Sequence, residues 1–201
     1  MPLPLRHSFL RAFRVVGLLA LAVLLFLVGA YAYVHGGGNF HEVEKGVIYR
    51  SSWLGAEGLE KAITRHGVKS VLNLCGEQPG DAWYDGETTV ARRHGIVFRS
   101  LTFSAKHELD AKQMTELVAF LRDAPKPLLI HCRAGSDRTG LACAIYVAAR
   151  GGSYRDASEQ LSLYYGHFPY FGSKSVAMDV TLERYYKSVV GLSVVSQAES
   201  R

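Results

Sequence analysis

The segment Leu128–Gly140 constrains the fold of this chain more than any other part of the sequence. It reads LLIHCRAGSDRTG and opens with an apolar run that is typical of a buried strand. A run of good helix formers, residues 141–149, follows directly. A strand, a short loop and a helix in this order point several backbone N–H groups at one place, with the helix N-terminus behind them. The sequence therefore predicts an anion-binding loop between a buried strand and a helix.

A cysteine and an arginine stand at the two ends of this predicted loop. Cys132 is expected to be ionised, because the helix dipole and a nearby guanidinium both favour the thiolate. Arg138 can hold two phosphate oxygens with its planar fork, which a lysine cannot copy. Gly135 lets the backbone come close to a ligand, and Thr139 can donate a hydroxyl hydrogen bond to the sulfur. These residue types favour attack of the sulfur on a phosphorus atom.

The segment His131–Gly140 resembles the signature loop of the cysteine-dependent protein tyrosine phosphatases, in particular that of the dual-specificity and atypical bacterial members. Residues 49–52, YRSS, resemble the segment that leads into the dual-specificity fold, and the resemblance covers about residues 46–170. It implies a phosphocysteine intermediate, a carboxylic acid elsewhere as proton donor, and neither a metal nor a cofactor. Asp137 resembles the acidic residue of bacterial members that also accept phosphoinositides. The resemblance further implies that six loop residues bind the phosphate: Arg133, Ala134, Gly135, Ser136, Asp137 and Thr139.

Strand and helix patterns alternate along residues 46–190, which are predicted to form the phosphatase domain. This alternation predicts an α/β fold with a mostly parallel central sheet flanked by helices, as the resemblance also implies. In such sheets ligands bind beyond the C-terminal ends of the strands. The turn at Cys75, the loop after Leu101 and the signature loop are therefore expected at one edge. By composition, residues 35–45 are predicted to be a flexible linker and residues 191–201 a polar tail.

Residues 15–34 form a 20-residue stretch without a charge, long enough for a transmembrane helix. Three arginines lie in the basic segment 1–14 before it, whereas Lys45 after it stands beside two glutamates. The positive-inside rule then places the N-terminus in the cytoplasm and exports the catalytic domain to the periplasm or the extracellular space. A cleaved signal peptide is the alternative, because residues 30–32, Ala-Tyr-Ala, have the small-x-small form of a cleavage site. Both interpretations predict that the catalytic domain lies outside the cytoplasm.

The resemblance places the proton donor in the loop after the third predicted strand, residues 102–110, TFSAKHELD. A general acid there would raise the rate by about 10²–10⁴-fold. Glu108 and Asp110 are the two main candidates, although Asp110 also forms a capping-box pattern with Gln113. Three further residues remain open as alternatives: His107, Asp81 and Asp85.

Charge and cysteine content exclude several other classes of function. The net charge of +5 is mild, and no basic cluster with interleaved aromatic residues indicates nucleic-acid binding. Three irregularly spaced cysteines indicate neither a disulfide framework nor a zinc site. In an exported protein, Cys75 and Cys132 at neighbouring strand ends could still form a reversible disulfide. The aromatic segment 164–171, YYGHFPYF, is predicted either to pack under a loop or to line the pocket.

Together these features predict an enzyme that hydrolyses phosphomonoesters through a phosphocysteine. The first expected substrate is a phosphorylated protein, on tyrosine or on serine and threonine. A phosphoinositide or another phospholipid is the second. A non-catalytic phosphate-binding module is the alternative from a different class, which the presence of both Cys132 and Arg138 disfavours.

Overall fold

The structure, a computed structural model, describes the backbone of residues 5–199 and the side chains of residues 14–29, 32 and 37–189. The chain divides into two compact units, Met1–Gly37 and Gly38–Arg201. The first unit contains one long helix, α1, Leu5–Gly36. Within the described residues, no helix meets the length and apolarity that crossing a membrane requires, so the transmembrane helix predicted over residues 15–34 is not supported.

The second unit is built on one five-stranded sheet with the strand order β1-β2-β5-β3-β4. The strands are β1 His41–Glu44, β2 Ile48–Ser52, β3 Ser70–Asn73, β4 Val97–Ser100 and β5 Leu128–Cys132. The helices of this unit are α2 Gly55–His66, α3 Ala82–Arg93, α4 Ala111–Asp123, α5 Asp137–Ala149, α6 Tyr154–Ser158 and α7 Val176–Glu199, with a 3-10 turn at Leu163–Tyr165. The predicted α/β class is confirmed.

The sheet is mixed, which corrects the prediction of a mostly parallel sheet. β2, β5, β3 and β4 pair in parallel, whereas β1 pairs antiparallel with β2. A tight turn causes this reversal: Gly46 has φ +68, and the N–H of Val47 donates to the carbonyl of Glu44 at 2.9 Å. β1 lies inside the segment predicted to be a linker, and α7 continues into the predicted polar tail as far as Glu199.

The two faces of the sheet support two hydrophobic clusters, because successive side chains of a strand point to opposite sides. Ile48, Leu128 and Ile130 pack on one face with buried residues of α4, α5 and α7. Tyr49 and Leu129 pack on the other with residues of α2 and α3. Both clusters draw only on described residues from position 40 onward, so the second unit contains a complete core of its own.

Candidate active site

The signature loop joins the central strand β5 to the most buried helix, α5. Cys132 is the last residue of β5, is only 2% exposed, and pairs in register with Ser52 of β2. On the other side of β5, the N–H of Leu74 donates to the carbonyl of His131 at 2.9 Å. The sulfur therefore lies at the C-terminal edge of the sheet, where parallel strands place their ligand sites.

Gly135 is required by close packing of the loop on the end of β2. Its backbone has φ +72, a conformation that other residues adopt only with strain. A Cβ atom there would lie 2.6 Å from the carbonyl carbon of Ser51 and 2.7 Å from the nitrogen of Ser52. Both atoms belong to the backbone and cannot move aside. Glycine at this position therefore fixes the loop against β2.

Arg50 of β2 contacts the signature loop from the protein interior, through a guanidinium that is completely buried. Its Nη2 donates to the carbonyl of Gly135 at 2.9 Å, and its Nη1 donates to the backbone and side-chain oxygens of Gln160, each at 2.9 Å. The ring of Tyr165 stacks on the guanidinium, with its centroid 3.6 Å from Cζ. Burial lowers the pKa of Arg50 from its usual value. Its hydrogen bonds with carbonyl oxygens compensate for part of the lost water, although its buried Nε has no partner among the described residues.

Asn39 holds a second carbonyl of the same loop. Its Nδ2 donates to the carbonyl of Ala134 at 3.1 Å and to that of Tyr165 at 2.9 Å. A peptide unit is planar and trans, so a carbonyl fixed on one side directs the next N–H to the opposite side. The contacts of Asn39 and Arg50 therefore direct the N–H groups of Gly135 and Ser136 away from the protein interior. This orientation is what an anion-binding loop needs.

Sequence reasoning did not assign a role to Arg50 or Asn39. The only signal for Arg50 was its place in residues 49–52, which resemble the segment that leads into the dual-specificity fold. Asn39 fell in the predicted linker and carried no signal. Their contacts with the loop join residues 85 and 95 positions apart, so no local pattern could reveal them.

Arg138 is anchored at the same edge as Cys132. Its Nη1 donates to the carbonyl of Leu74 after β3 at 3.0 Å and to that of Phe103 after β4 at 3.4 Å. This anchoring uses one nitrogen and leaves the edge formed by Nε and Nη2 for a bidentate contact with two phosphate oxygens. The structure thus brings together the ends of β3, β4 and β5, as the sequence predicted.

Three other loop residues have distinct surroundings. Arg133 is exposed, with Cζ 5.6 Å from the centroid of a ring of Trp53. Ser136 is buried at the N-cap position of α5. Thr139 is fully buried, and within the described part of the chain its hydroxyl oxygen has no hydrogen-bond partner. The predicted hydrogen bond from Thr139 to the sulfur of Cys132 stays a prediction.

His131, the residue before Cys132, belongs to β5. It is buried, with Nε2 at ion-pair distance, 3.2 Å, from Oε2 of Glu87, although the two groups are not aligned as a hydrogen bond. The other carboxylate oxygen of Glu87 accepts from the N–H groups of Leu54 and Gly55 at 2.8 and 3.0 Å. Glu87 thereby satisfies free N–H groups at the start of α2, which follows β2, the strand that pairs with β5.

Asp137 belongs to a row of three charged groups in which His167 is fully buried, whereas the side chains of Asp137 and Asp179 are 31% and 36% exposed. Its Oδ1 lies 2.7 Å from Nδ1 of His167, and Nε2 of His167 lies 3.0 Å from Oδ2 of Asp179 on α7. Burial lowers the pKa of His167, but the hydrogen bonds and charges of the two carboxylates outweigh that effect and raise the pKa to about 9. A protonated His167 donates to both carboxylates. It therefore neutralises Asp137, the acidic residue beside Arg138.

We expect replacement of His167 by glutamine to raise KM for p-nitrophenyl phosphate roughly tenfold, with a smaller change in kcat, because the charge of Asp137 would then repel the phosphate dianion. The pKa of His167 is raised to about 9, so His167 stays protonated below neutral pH and the wild-type enzyme should have a low KM there. This KM should rise as the pH passes through about 9 and His167 loses its charge. Steady-state kinetics between pH 6 and pH 10 measure both effects.

The double variant His167→Gln, Asp137→Asn is the control for this electrostatic effect. It removes the charge of the carboxylate beside Arg138, so KM should return close to the wild-type value and should no longer rise at alkaline pH. If KM stays high in the double variant, His167 acts by packing and not by neutralising Asp137.

The structure gives both candidate proton donors other partners. Oε2 of Glu108 forms an ion pair with Nη1 of Arg184 on α7 at 2.8 Å. Asp110 caps α4 by accepting from the N–H of Gln113 at 2.8 Å, in the predicted capping box. Both side chains are exposed, and their described contacts are with α7 and α4, not with the signature loop. The start of their loop does reach the site, since the carbonyl of Phe103 contacts Arg138.

The three alternative donors also lie in exposed segments. Oδ2 of Asp81 accepts from Nε1 of Trp83 at 3.3 Å, and Oδ2 of Asp85 accepts from the N–H of Gly80 at 3.0 Å. His107 is exposed in the same loop as Glu108. None of these contacts assigns the proton donor, so every candidate stays a prediction.

Cys75 lies against the signature loop, at the end of β3. Burial raises the pKa of its thiol to about 11, although the charge of Arg138 and the backbone N–H of Arg133 act in the opposite direction. Cys75, Cys132 and Cys143 are all free thiols. The Cys75–Cys132 disulfide is therefore not formed in this structure, and its reversible formation stays a prediction.

Solved structures with this fold support the same architecture. The core catalytic domain of the PP-IP phosphatase SIW14 from S. cerevisiae is 22% identical, with a TM-score of 0.60 over 80% of this chain and 93% of that one. TpbA from P. aeruginosa, in complex with phosphotyrosine, is 21% identical, with a TM-score of 0.55 over 76% and 91%. PTPMT1 in complex with PI(5)P is 14% identical, with a TM-score of 0.54 over 77% and 98%. At these identities the likeness shows the fold alone.

Family membership follows from the sequence match. No curated protein matches the chain significantly. A family model described as "PTP-SAK: Swiss Army Knife protein, DSP-PTPase phosphatase domain" matches residues 39–168, well over half of the 201-residue chain. The matched range includes Asn39, Arg50, the complete signature loop and His167. The chain belongs to this family and is a cysteine-dependent phosphatase of the dual-specificity type, which confirms the resemblance identified in its sequence.

Proposed function

We propose that the chain hydrolyses phosphomonoesters of proteins, on tyrosine or on serine and threonine, through a phosphocysteine intermediate on Cys132. The observation that carries this proposal is the orientation of the signature loop. Donors from Arg50 and Asn39 bind its carbonyl groups on the protein side, so its N–H groups are left for an anion. The buried Cys132 and the anchored Arg138 lie at the two ends of this loop.

In the proposed reaction the sulfur of Cys132 attacks phosphorus and forms an S–P bond while the ester P–O bond breaks. The N–H groups of residues 133–138 and the fork of Arg138 stabilise the charge on the three equatorial oxygens. Glu108 or Asp110 gives a proton to the leaving oxygen and then takes one from the attacking water. Water breaks the S–P bond, releases inorganic phosphate and restores the thiolate.

A phosphoinositide is the second candidate substrate, and one feature of the surface favours it. Beside Asp137 lies an open cavity of about 550 Å³ whose wall includes the side chains of Lys106 and Lys174. Two lysines next to a phosphate-binding loop suit a substrate that carries more than one anionic group. TpbA in complex with phosphotyrosine and PTPMT1 in complex with PI(5)P show that this fold accommodates both kinds of ligand.

Initial rates of phosphate release from a phosphotyrosine peptide and from PI(5)P distinguish the two candidates. We expect a higher kcat/KM for the peptide, with Lys106→Ala and Lys174→Ala each changing it less than threefold. A higher kcat/KM for PI(5)P, lowered by both lysine variants, would instead support the phosphoinositide. If neither substrate releases phosphate faster than it does with Cys132→Ser, both substrate proposals fail.

The proton donor can be identified by comparing Glu108→Gln with Asp110→Asn. We expect the variant of the true donor to lower kcat/KM for a phosphotyrosine peptide by about 10²–10⁴-fold and to abolish the fall of kcat at alkaline pH, whereas the alkaline rise of KM attributed to His167 should remain. The effect should be smaller with p-nitrophenyl phosphate, whose leaving group needs less protonation. Asparagine keeps the cap of α4, so a lost helix cap does not confuse the comparison. Two variants with wild-type pH profiles would place the donor outside this pair.

We also propose that the catalytic domain is exported. The support is in the sequence alone: three arginines precede the uncharged residues 15–34, and two glutamates lie close after them. A reporter that is active only outside the cytoplasm, fused after residue 45 in a bacterial host, measures this directly. An inactive reporter, present at full length in the cell, would contradict export.

A further inference from the structure

A turn next to the candidate site carries three exposed aromatic rings. Phe168, Tyr170 and Phe171 are 45%, 55% and 98% exposed. Their rings contact each other, with centroids 5.2 Å apart for Phe168 and Tyr170 and 5.9 Å apart for Phe168 and Phe171. The two sequence-based expectations therefore do not hold uniformly along the segment: Phe168 lines the cavity beside Asp137, whereas the ring of Phe171 is almost fully exposed and does not pack under a loop. We refer to residues 168–171 as the aromatic tip.

The backbone holds the aromatic tip in a defined conformation. Phe171 has φ +54, which is rare for a bulky residue, and Gly172 continues the left-handed turn with φ +79. The N–H of Ser173 donates to the carbonyl of Tyr170 at 3.1 Å, and the hydroxyl of Ser175 donates to that of Phe168 at 3.2 Å. Directly before the tip, His167 is fixed between α5 and α7 by its two carboxylate contacts. The rings are therefore held outward by the fold.

The surface around the aromatic tip is basic. Lys106, Lys174 and Phe168 line the same cavity, and neither lysine forms an ion pair with another residue that the structure describes. Asp137, which also lines this cavity, is bound by His167, as is Asp179 on α7. Exposed rings thus lie beside two lysines that have no ion-pair partner in the described part of the chain, next to the loop that carries Cys132.

We infer that the aromatic tip docks the catalytic domain on an anionic membrane surface. Aromatic rings are favoured at the boundary between headgroups and acyl chains, and lysines are attracted to anionic lipids. A protein partner fits less well, because a stable interface needs roughly 800 Å² on each side, more than a four-residue tip offers. Docking would turn the cavity beside Asp137 towards the headgroups. The inference concerns binding and does not depend on which phosphomonoester is hydrolysed.

Co-sedimentation with lipid vesicles tests the inference on residues 38–201, the unit that contains a complete core of its own. We expect this fragment to bind vesicles of phosphatidylcholine mixed with phosphatidylglycerol, and to bind pure phosphatidylcholine much more weakly. Added salt should weaken the binding. Phe171→Ala should reduce binding at least about tenfold, the effect of withdrawing one aromatic ring from an apolar environment. Lys174→Glu should remove the preference for anionic lipid.

Val97→Ala provides a matched control, because Val97 is also apolar and exposed but lies at the N-terminal end of β4, opposite the site. Its vesicle binding should equal that of the unmodified fragment. Phe171→Ala and Val97→Ala should both hydrolyse p-nitrophenyl phosphate at the rate of the unmodified fragment, which separates docking from catalysis. The inference is overturned if the fragment does not bind anionic vesicles, or if Phe171→Ala and Val97→Ala bind equally well.

Discussion

Replacing Cys132 with serine should lower the turnover of p-nitrophenyl phosphate by roughly 10⁴-fold or more, because a serine hydroxyl is hardly ionised at neutral pH and is a far weaker nucleophile. The carbonyl contacts of Arg50 and Asn39 do not involve the sulfur, so the signature loop should keep its anion-binding conformation. The variant should therefore still bind inorganic phosphate. Phosphate-dependent stabilisation in thermal unfolding measures that binding, and phosphate release measures turnover.

Cys143→Ser is the matched control for this prediction. Cys143 is fully buried in α5, and burial raises the pKa of its thiol to about 11, so it stays protonated at neutral pH. Its replacement should cost some stability and leave turnover within a few-fold of wild type. Equal losses of turnover in the two variants would show that the damage is structural, and Cys132 would then not be the nucleophile.

Replacing Arg50 with methionine should lower the free energy of unfolding by about 3 kcal/mol, since it leaves the buried carbonyl of Gly135 and the partly buried carbonyl of Gln160 without donors. The peptide units of the signature loop would lose the contact that orients them. We therefore expect kcat/KM to fall by roughly 10²-fold even at temperatures where the variant is folded. Urea unfolding measures the stability, and kinetics well below the unfolding midpoint measure the activity.

Arg155→Met is the matched control, because the side chain of Arg155 on α6 is 89% exposed. Removing an exposed arginine should change stability by less than about 0.5 kcal/mol. Wild-type stability and kinetics in Arg50→Met would mean that the signature loop keeps its conformation without the buried guanidinium. The proposal that Arg50 holds the loop in place would then be wrong.

The fold class was predictable because its signals are local. The apolar run at Leu128, the loop and the helix formers after Gly140 predict a strand, a turn and a helix, and the structure has β5 and α5 there. The antiparallel strand β1 was not predicted. Its four residues, His41–Glu44, are mostly polar, and only pairing with β2 beyond the turn at Gly46 makes them a strand. The proton donor was not resolved either, since Glu108 and Asp110 are acidic residues of one loop that sequence spacing cannot tell apart.

The sequence by itself predicted the chemistry: a cysteine and an arginine six positions apart, between a strand and a helix, lie on one loop because they are close together in the chain. Tertiary structure alone decided what holds that loop in its working conformation. Arg50, Asn39 and His167 reach it from 85, 95 and 30 positions away. A short-range pattern records which residues are adjacent along the chain. A buried hydrogen bond depends on which backbone carbonyl or carboxylate the folded sheet brings within about 3 Å of a donor.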